Sequence, residues 1–292
     1  MKKAILIFTC LILLVPSFAS AQSSTRGLPE LQTKITAASK ADPGLFKTYD
    51  ELRDHVVELD KKKRGPFLPL GAAFTALGPD AVLPLANMML TELEQPSLTG
   101  SARVTMFVGV AEALANLQQS DVVPVLFEVL NRETEQSIVA AATEAIGRLG
   151  NDEDIADLLR NVTNDDVTRG LRGCRRVACA SFLIGKLDSA EGSTQLITIK
   201  TMGSVANTWA WQTSEVQSKD DGNAVRGIVA RALIARYTSF GPSAQKTARK
   251  SILLANFDGS ARLIAAQRAN ASETERAALD ALAERVANNP LK

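Results

Sequence analysis

Short segments rich in alanine and leucine, each closed by a leucine and a turn, recur along this chain, and that recurrence constrains the fold more than any other feature. Phe74-Thr75-Ala76-Leu77 leads into Gly78-Pro79-Asp80, and Leu114-Ala115-Asn116-Leu117 into Gln118-Gln119-Ser120-Asp121. Ile146-Gly147-Arg148-Leu149 leads into Gly150-Asn151-Asp152, and Ile184-Gly185-Lys186-Leu187 into Asp188-Ser189. The closing leucines follow one another at about 30 to 40 residues, the length of one helix pair in a solenoid. Within a unit, a first helix rich in small residues, such as 139–146, lets its neighbours approach closely. After the turn, Asp121 or Asp152 stands where it could cap a second helix. That helix carries apolar residues at spacings of three and four, as in Val122, Val125, Leu126, Val129 and Leu130. There is little sustained alternation of period two, so no strands are predicted.

The spacing predicts helix pairs over 66–93, 101–131, 134–161 and 167–200, then an irregular insert over 201–222 that holds Trp209 and Trp211. C-terminal repeats and a cap are expected over 223–292, with a pair running from Asn223 to Leu254 and a last helix from Glu273 to Ala287. Residues 22–65 read as two N-terminal capping helices, Pro29 to Ser39 and Leu45 to Leu59, because a bare terminal repeat exposes apolar surface. These units resemble HEAT repeats, particularly the short alanine-rich form related to phycobilisome-lyase-type repeats. The resemblance is strongest over Val139 to Leu159 and covers 66–254. It implies an all-α, right-handed α-solenoid of about five to six HEAT-like helix pairs. It also implies a scaffold whose partner is another protein, with no catalytic residues to carry over.

The N-terminus reads as a leader. Met1-Lys2-Lys3 precedes an apolar run from Ala4 to Val15, and Ala19-Ser20-Ala21 offers a small-x-small cleavage site before Gln22. This pattern predicts a secretory signal peptide of bacterial type over 1–21, and hence a periplasmic or secreted chain. Cys10 lies inside the apolar run behind Thr9, an unsuitable context for lipidation. No later stretch is long and apolar enough to be expected to span a membrane. Removing the leader leaves Cys174 and Cys179, five residues apart. On an unbroken helix such side chains diverge by about 140° with Cα atoms roughly 8 Å apart, beyond disulfide reach. A bridge therefore requires Cys174 to precede the helix, with Gly170 and Gly173 supplying the break. The other reading is two inert buried thiols.

Composition narrows the chemistry. The 292 residues carry 33 Lys plus Arg against 32 Asp plus Glu, so the chain lacks the bulk charge of a nucleic-acid binder. The single histidine, His55, would have to serve any His-based metal site, triad or dyad alone, and a solvent-facing helical position is expected for it. No Walker A loop, dinucleotide glycine fingerprint, EF-hand or Cys-x-x-Cys pair is present, so no cofactor or metal is expected. Ser243-Ala244-Gln245-Lys246 matches the Ser-x-x-Lys signature of penicillin-binding enzymes but lacks its Ser-Asp-Asn and Lys-Thr-Gly companions. Ser243 is expected to cap a helix instead.

Two groups remain as candidate contacts for a partner. Arg169, Arg172, Arg175 and Arg176 could share one helical face and grip carboxylates or phosphates, or be neutralised internally by Asp165-Asp166. Trp209 and Trp211, the only tryptophans, could anchor an interface or plug a gap where the repeats change register. The reading is a non-enzymatic protein-binding scaffold or adaptor of the bacterial envelope, with Trp209, Trp211, Arg172 and Arg176 as first contacts. One alternative is a binder of anionic envelope polymers through the arginine cluster. The other is a hydrolase or lyase that uses the insert as its active-site loop.

Overall fold

The computed structural model describes residues 26–162, 164–212 and 219–291. The expected leader over 1–21, its cleavage after Ala21 and Cys10 lie outside the described residues. Among the described residues the fold is all helical and contains no strand. Two N-terminal helices, α1 (Leu28–Ala41) and α2 (Pro43–Asp60), precede six pairs. The pairs are α3 (Gly71–Thr75) with α4 (Val82–Glu94), α5 (Gly100–Asn116) with α6 (Val123–Arg132), and α7 (Gln136–Leu149) with α8 (Asp152–Arg160). They continue with α9 (Asp165–Gly170) and α10 (Val177–Ser189), α11 (Gly192–Val205) and α12 (Gly222–Ala235), and α13 (Pro242–Ala255) and α14 (Ser260–Ala269). Helix α15 (Glu273–Ala287) closes the stack against α14 and α13.

The pairs form a two-layer α-solenoid. Helices α3, α5, α7, α9, α11 and α13 stack in sequence as one layer, and their partners stack behind them. Adjacent helices of the first layer approach more closely than those of the second, so the stack curves with the first layer inside. Small residues make that approach possible. A Cβ added at Gly109 of α5 would lie 3.0 Å from Leu70 and Phe74, and one at Gly170 of α9 would lie 2.6 Å from the Ala140 carbonyl oxygen of α7. Leucines and isoleucines such as Leu114, Leu126 and Ile146 are fully buried between the layers. Each such side chain contributes about 1.5–3 kcal/mol through burial.

Polar groups fix the register. Arg148 donates to Asn116 Oδ1 at 2.7 Å and Asn116 donates to Thr75 at 3.1 Å, linking α7, α5 and α3. At the front, Asp60 ends α2 and accepts hydrogen bonds from Ser101 and Thr105 of α5 and from Lys63. Burial pushes the Asp60 carboxyl up, but those hydrogen bonds outweigh it and hold the group below the ordinary carboxylate value. Caps come from Asn151, which with Asp154 forms a capping box on α8, and from Ser272 with Glu275 on α15. Asp152 is the first residue of α8 rather than its cap, and Asp121 pairs with Lys34 of α1 at 2.5 Å. Nor does Ser243 cap α13, which begins at Pro242 behind Gly241.

The pairing differs from the sequence expectation after residue 165. Leu187 ends a second-layer helix, α10, and the first helix of that pair is the six-residue α9. Helix α9 is continued by a 3-10 turn over Leu171–Gly173. The expected pair over 167–200 therefore holds parts of three helices, and α11 opens the next pair. Of the expected insert over 201–222, residues 201–205 complete α11, and the connector that follows leads to α12. The expected pair from Asn223 to Leu254 is present as α12 packed against α13, and α14 packs against α12 as well. After α9 the 3-10 turn over Leu171–Gly173 stands where earlier units have a closing leucine and a polar turn.

Candidate functional site

The inner layer carries two neighbouring wells. The first, about 300 Å³, is lined by Phe67, Val108 and Glu112, by Gln136, Ser137, Ala140 and Ala141 of α7, and by Arg169 and Arg172. The second, about 290 Å³, is lined by Leu196, Ile197, Lys200, Thr201 and Ser204 of α11, by Thr247 of α13, and by the same Arg169 and Arg172. The two arginines form a ridge shared by both wells, so the wells make one groove running from α5 to α13 across the inner face.

Local sequence explains the ridge. Asn164 caps α9 through the backbone N–H groups of Asp166 and Val167, and Gly170 ends that helix against α7. The chain then makes the 3-10 turn and reaches Cys174, which precedes α10, while Cys179 lies inside it. The two cysteines are joined by a disulfide with Cα atoms 6.3 Å apart, and both are buried. The break at Gly170 and Gly173 thus places Cys174 ahead of the helix. It also separates the four arginines, which do not share a helical face. Arg169 pairs with Asp166 at 2.9 Å and Arg172 with Glu144 at 2.5 Å, both at the groove. Arg175 is buried and donates to the Arg172 carbonyl oxygen at 2.6 Å. Arg176, only 4% exposed, is paired with Asp152 and donates to the Gly150 carbonyl oxygen at 2.5 Å. Arg172 therefore faces the groove, whereas Arg176 is enclosed beneath it.

The groove holds charges that sequence reasoning did not single out. Glu112 of α5 and Glu144 of α7 each stand five residues before a closing leucine, Leu117 or Leu149, so the repeat places them side by side. Glu144 is taken up by Arg172. Glu112 makes no ion pair among the described residues. Its side chain packs over Gly71, where an added Cβ would lie 2.8 Å from Glu112 Cβ. Although the residue as a whole is exposed, this partial burial raises the Glu112 carboxyl above its usual value; the Glu144 charge adds to the effect, and Arg172 and Arg148 oppose it. Lys200, in the second well, is exposed and likewise has no ion pair among the described residues.

The tryptophans lie beyond the end of α11, in the connector. Trp209 is 60% exposed, one of the four large apolar side chains left open among the described residues. Trp211 is half-buried, donates from Nε1 to the Val205 carbonyl oxygen at 2.9 Å and packs over Gly222. Neither lines the two wells. The connector is pinned to the disulfide loop, because Asp220 accepts from the Val177 N–H at 2.6 Å and donates its own N–H to the Arg175 carbonyl oxygen at 3.0 Å. Asp221 caps α12 through the Asn223 N–H. Asp165 accepts from Thr194, and Asp166 accepts from Gln136 and Arg169. The adjacent acids thus serve as caps and hydrogen-bond partners. His55 is exposed on α2, and no hydrogen bond joins Ser243 to Lys246 among the described residues. No group of His, Cys, Asp and Glu suited to a metal ion occurs among the described residues, and no helix there is long and apolar enough to cross a membrane.

Residues 108–173, from the middle of α5 to the 3-10 turn after α9, match the family profile of HEAT repeats. That stretch contains the first well and the arginine ridge. No curated protein and no solved structure matches the chain.

Proposed function

We propose that the chain is a non-enzymatic scaffold of the bacterial envelope that holds part of another protein in its inner groove. HEAT repeats commonly serve as protein-interaction scaffolds, and the matched residues include half of this groove. The observation that carries the reading is the pair of wells joined across Arg169 and Arg172. Each well is at the small end of ligand cavities, with room for one or two side chains. A strip of small wells on a rigid face suits a polymer chain better than a compact substrate, and a preformed groove costs little ordering. The leader pattern over 1–21 supports export, and so does the buried disulfide, since disulfides persist in oxidising compartments. The short alanine-rich first helices fit the phycobilisome-lyase-like form of the repeat.

A protein partner is favoured over an anionic polymer by the state of the arginines. Two are buried, and the two at the groove already face Glu144 and Asp166. The test is affinity capture from envelope extract with wild type, Arg172→Ala and Trp209→Ala, each checked for folding by circular dichroism. The reading expects a specific protein held by wild type and Trp209→Ala and lost by Arg172→Ala. Loss with Trp209→Ala alone would move the site to the connector. Retention of polysaccharide or another polyanion, released steeply by salt, would favour the polymer reading.

A further inference from the structure

The charges left in the groove describe what fits it. Its two ends are electrically opposite: Glu112 stands in the first well and Lys200 in the second, and neither has an ion pair among the described residues. Each charge has apolar surface beside it, Phe67 and Val108 with Glu112, and Leu196 and Ile197 with Lys200. The half-buried Ser137 lines the first well, and its hydroxyl makes no hydrogen bond among the described residues, so it is available to a main chain. An α-helix has already satisfied its backbone groups internally, whereas an extended chain presents them.

We infer that the groove takes an extended segment of a partner protein with a basic residue over Glu112 and an acidic residue over Lys200, each beside an apolar side chain that enters the adjacent well. This rests on the groove being the binding surface, and it adds the partner's charge order and spacing. Glu112 lies on α5 and Lys200 on α11, three helix spacings apart in the inner layer. Packed helices lie about 8–10 Å apart, which puts the charges roughly 24–30 Å apart. At about 3.3 Å per residue an extended segment covers that distance in roughly seven to nine residues. A helical segment would need roughly 16 to 20 at about 1.5 Å per residue.

The test uses the full chain and synthetic peptides as probes. One peptide carries a Leu-Lys and a Leu-Asp pair about eight residues apart in a Gly/Ser background; controls carry two Lys, two Asp, or the mixed pair about two residues apart. Methyl resonances of Val108 and Ile197 report each well separately during titration. The expected result is movement of both methyls with the long mixed peptide, at an affinity about tenfold above every control. Glu112→Lys should transfer that preference to the two-Asp peptide, and Lys200→Glu, at an exposed position, to the two-Lys peptide. Equal binding of all peptides in both wells would overturn this inference and leave the groove reading intact. Tighter binding of the short mixed peptide, or no response of either methyl to any peptide, would also overturn it. In those cases site-specific cross-linking from the groove decides separately whether a partner binds there at all.

Discussion

Gly203 of α11 lies directly against Ser251 of α13: a Cβ added at Gly203 would sit 2.6 Å from Ser251 Cβ and 2.9 Å from its Cα. Ser251 in turn donates its hydroxyl to the Ile199 carbonyl oxygen of α11 at 2.9 Å. The inner layer closes here because one helix offers no side chain and the other a small one that bonds across the gap.

Gly203→Ala should therefore destabilise the chain by about 1–3 kcal/mol, as overpacking does where the backbone has to shift. Gly185→Ala is the control. Gly185 is exposed in α10 with open space around its Cα, and alanine there should stabilise by roughly 0.5–1 kcal/mol through helix propensity. Urea midpoints of the two variants should move in opposite directions. Movement in the same direction would show that close approach does not set this packing.

The arginines should separate by role. Arg176→Ala removes an enclosed guanidinium bonded to Gly150 and Asp152 and should cost about 1–3 kcal/mol of stability. Arg172→Ala removes a groove-facing pair with Glu144 and should cost under about 1 kcal/mol while abolishing partner binding. Chemical denaturation and partner capture on the same two proteins check both halves.

Asp60 and Glu112 should respond to pH with opposite signs. The folded Asp60 carboxyl lies below its unfolded value, so its contribution is present at neutral pH and lost as pH falls below about 4. The stability gap between wild type and Asp60→Asn should be largest at neutral pH and shrink through that window. For Glu112 the folded value is raised, so the charged form is disfavoured in the fold above that value. Glu112→Gln should be more stable than wild type at neutral pH, with the difference fading in acid, and should bind partner less well. Parallel stability curves across pH for either pair would contradict the assignment.

The disulfide closes a short loop between the arginine ridge and α10. Chain-entropy arguments assign a loop of this length about 2 kcal/mol. Replacing both cysteines by alanine should lower stability by that order. Reductant should lower the urea midpoint of wild type and leave the double variant unchanged.

The helix pairs from α3 to α8 were legible in the sequence because each first helix ends on a leucine before a polar turn. At α9 the pattern breaks, because Leu171 is followed by a 3-10 turn rather than a polar turn, and the next leucine with the expected turn, Leu187, belongs to α10 of the other layer. Cys174 and Cys179 were legible as a pair whose bridging depends on a helix start, which the structure places at Val177. The groove was not legible, since it depends on which side chains of successive first helices stay open on the inner face. A signal existed nonetheless. Lys200 is the only charged residue of α11, and Glu112 recurs as Glu144 at the equivalent position of the next unit. The lone charge of α11 and the recurring glutamate of α5 and α7 lie on the open face. Arg176 misled for the opposite reason, because its sequence neighbours look exposed while its side chain is folded under Gly150.

The central claim is that the partner lies on the inner layer, and site-specific photo-cross-linking addresses it most directly. A photoreactive residue is placed at Ala140, on the inner face between the ridge and the first well, and in a second protein at Arg231, exposed on α12 of the outer layer. Both are irradiated in envelope extract. The account predicts one discrete protein adduct from position 140, lost when Arg172→Ala is added, and none from position 231. An adduct of the same protein from position 231 alone would place the binding surface on the outer layer and contradict it.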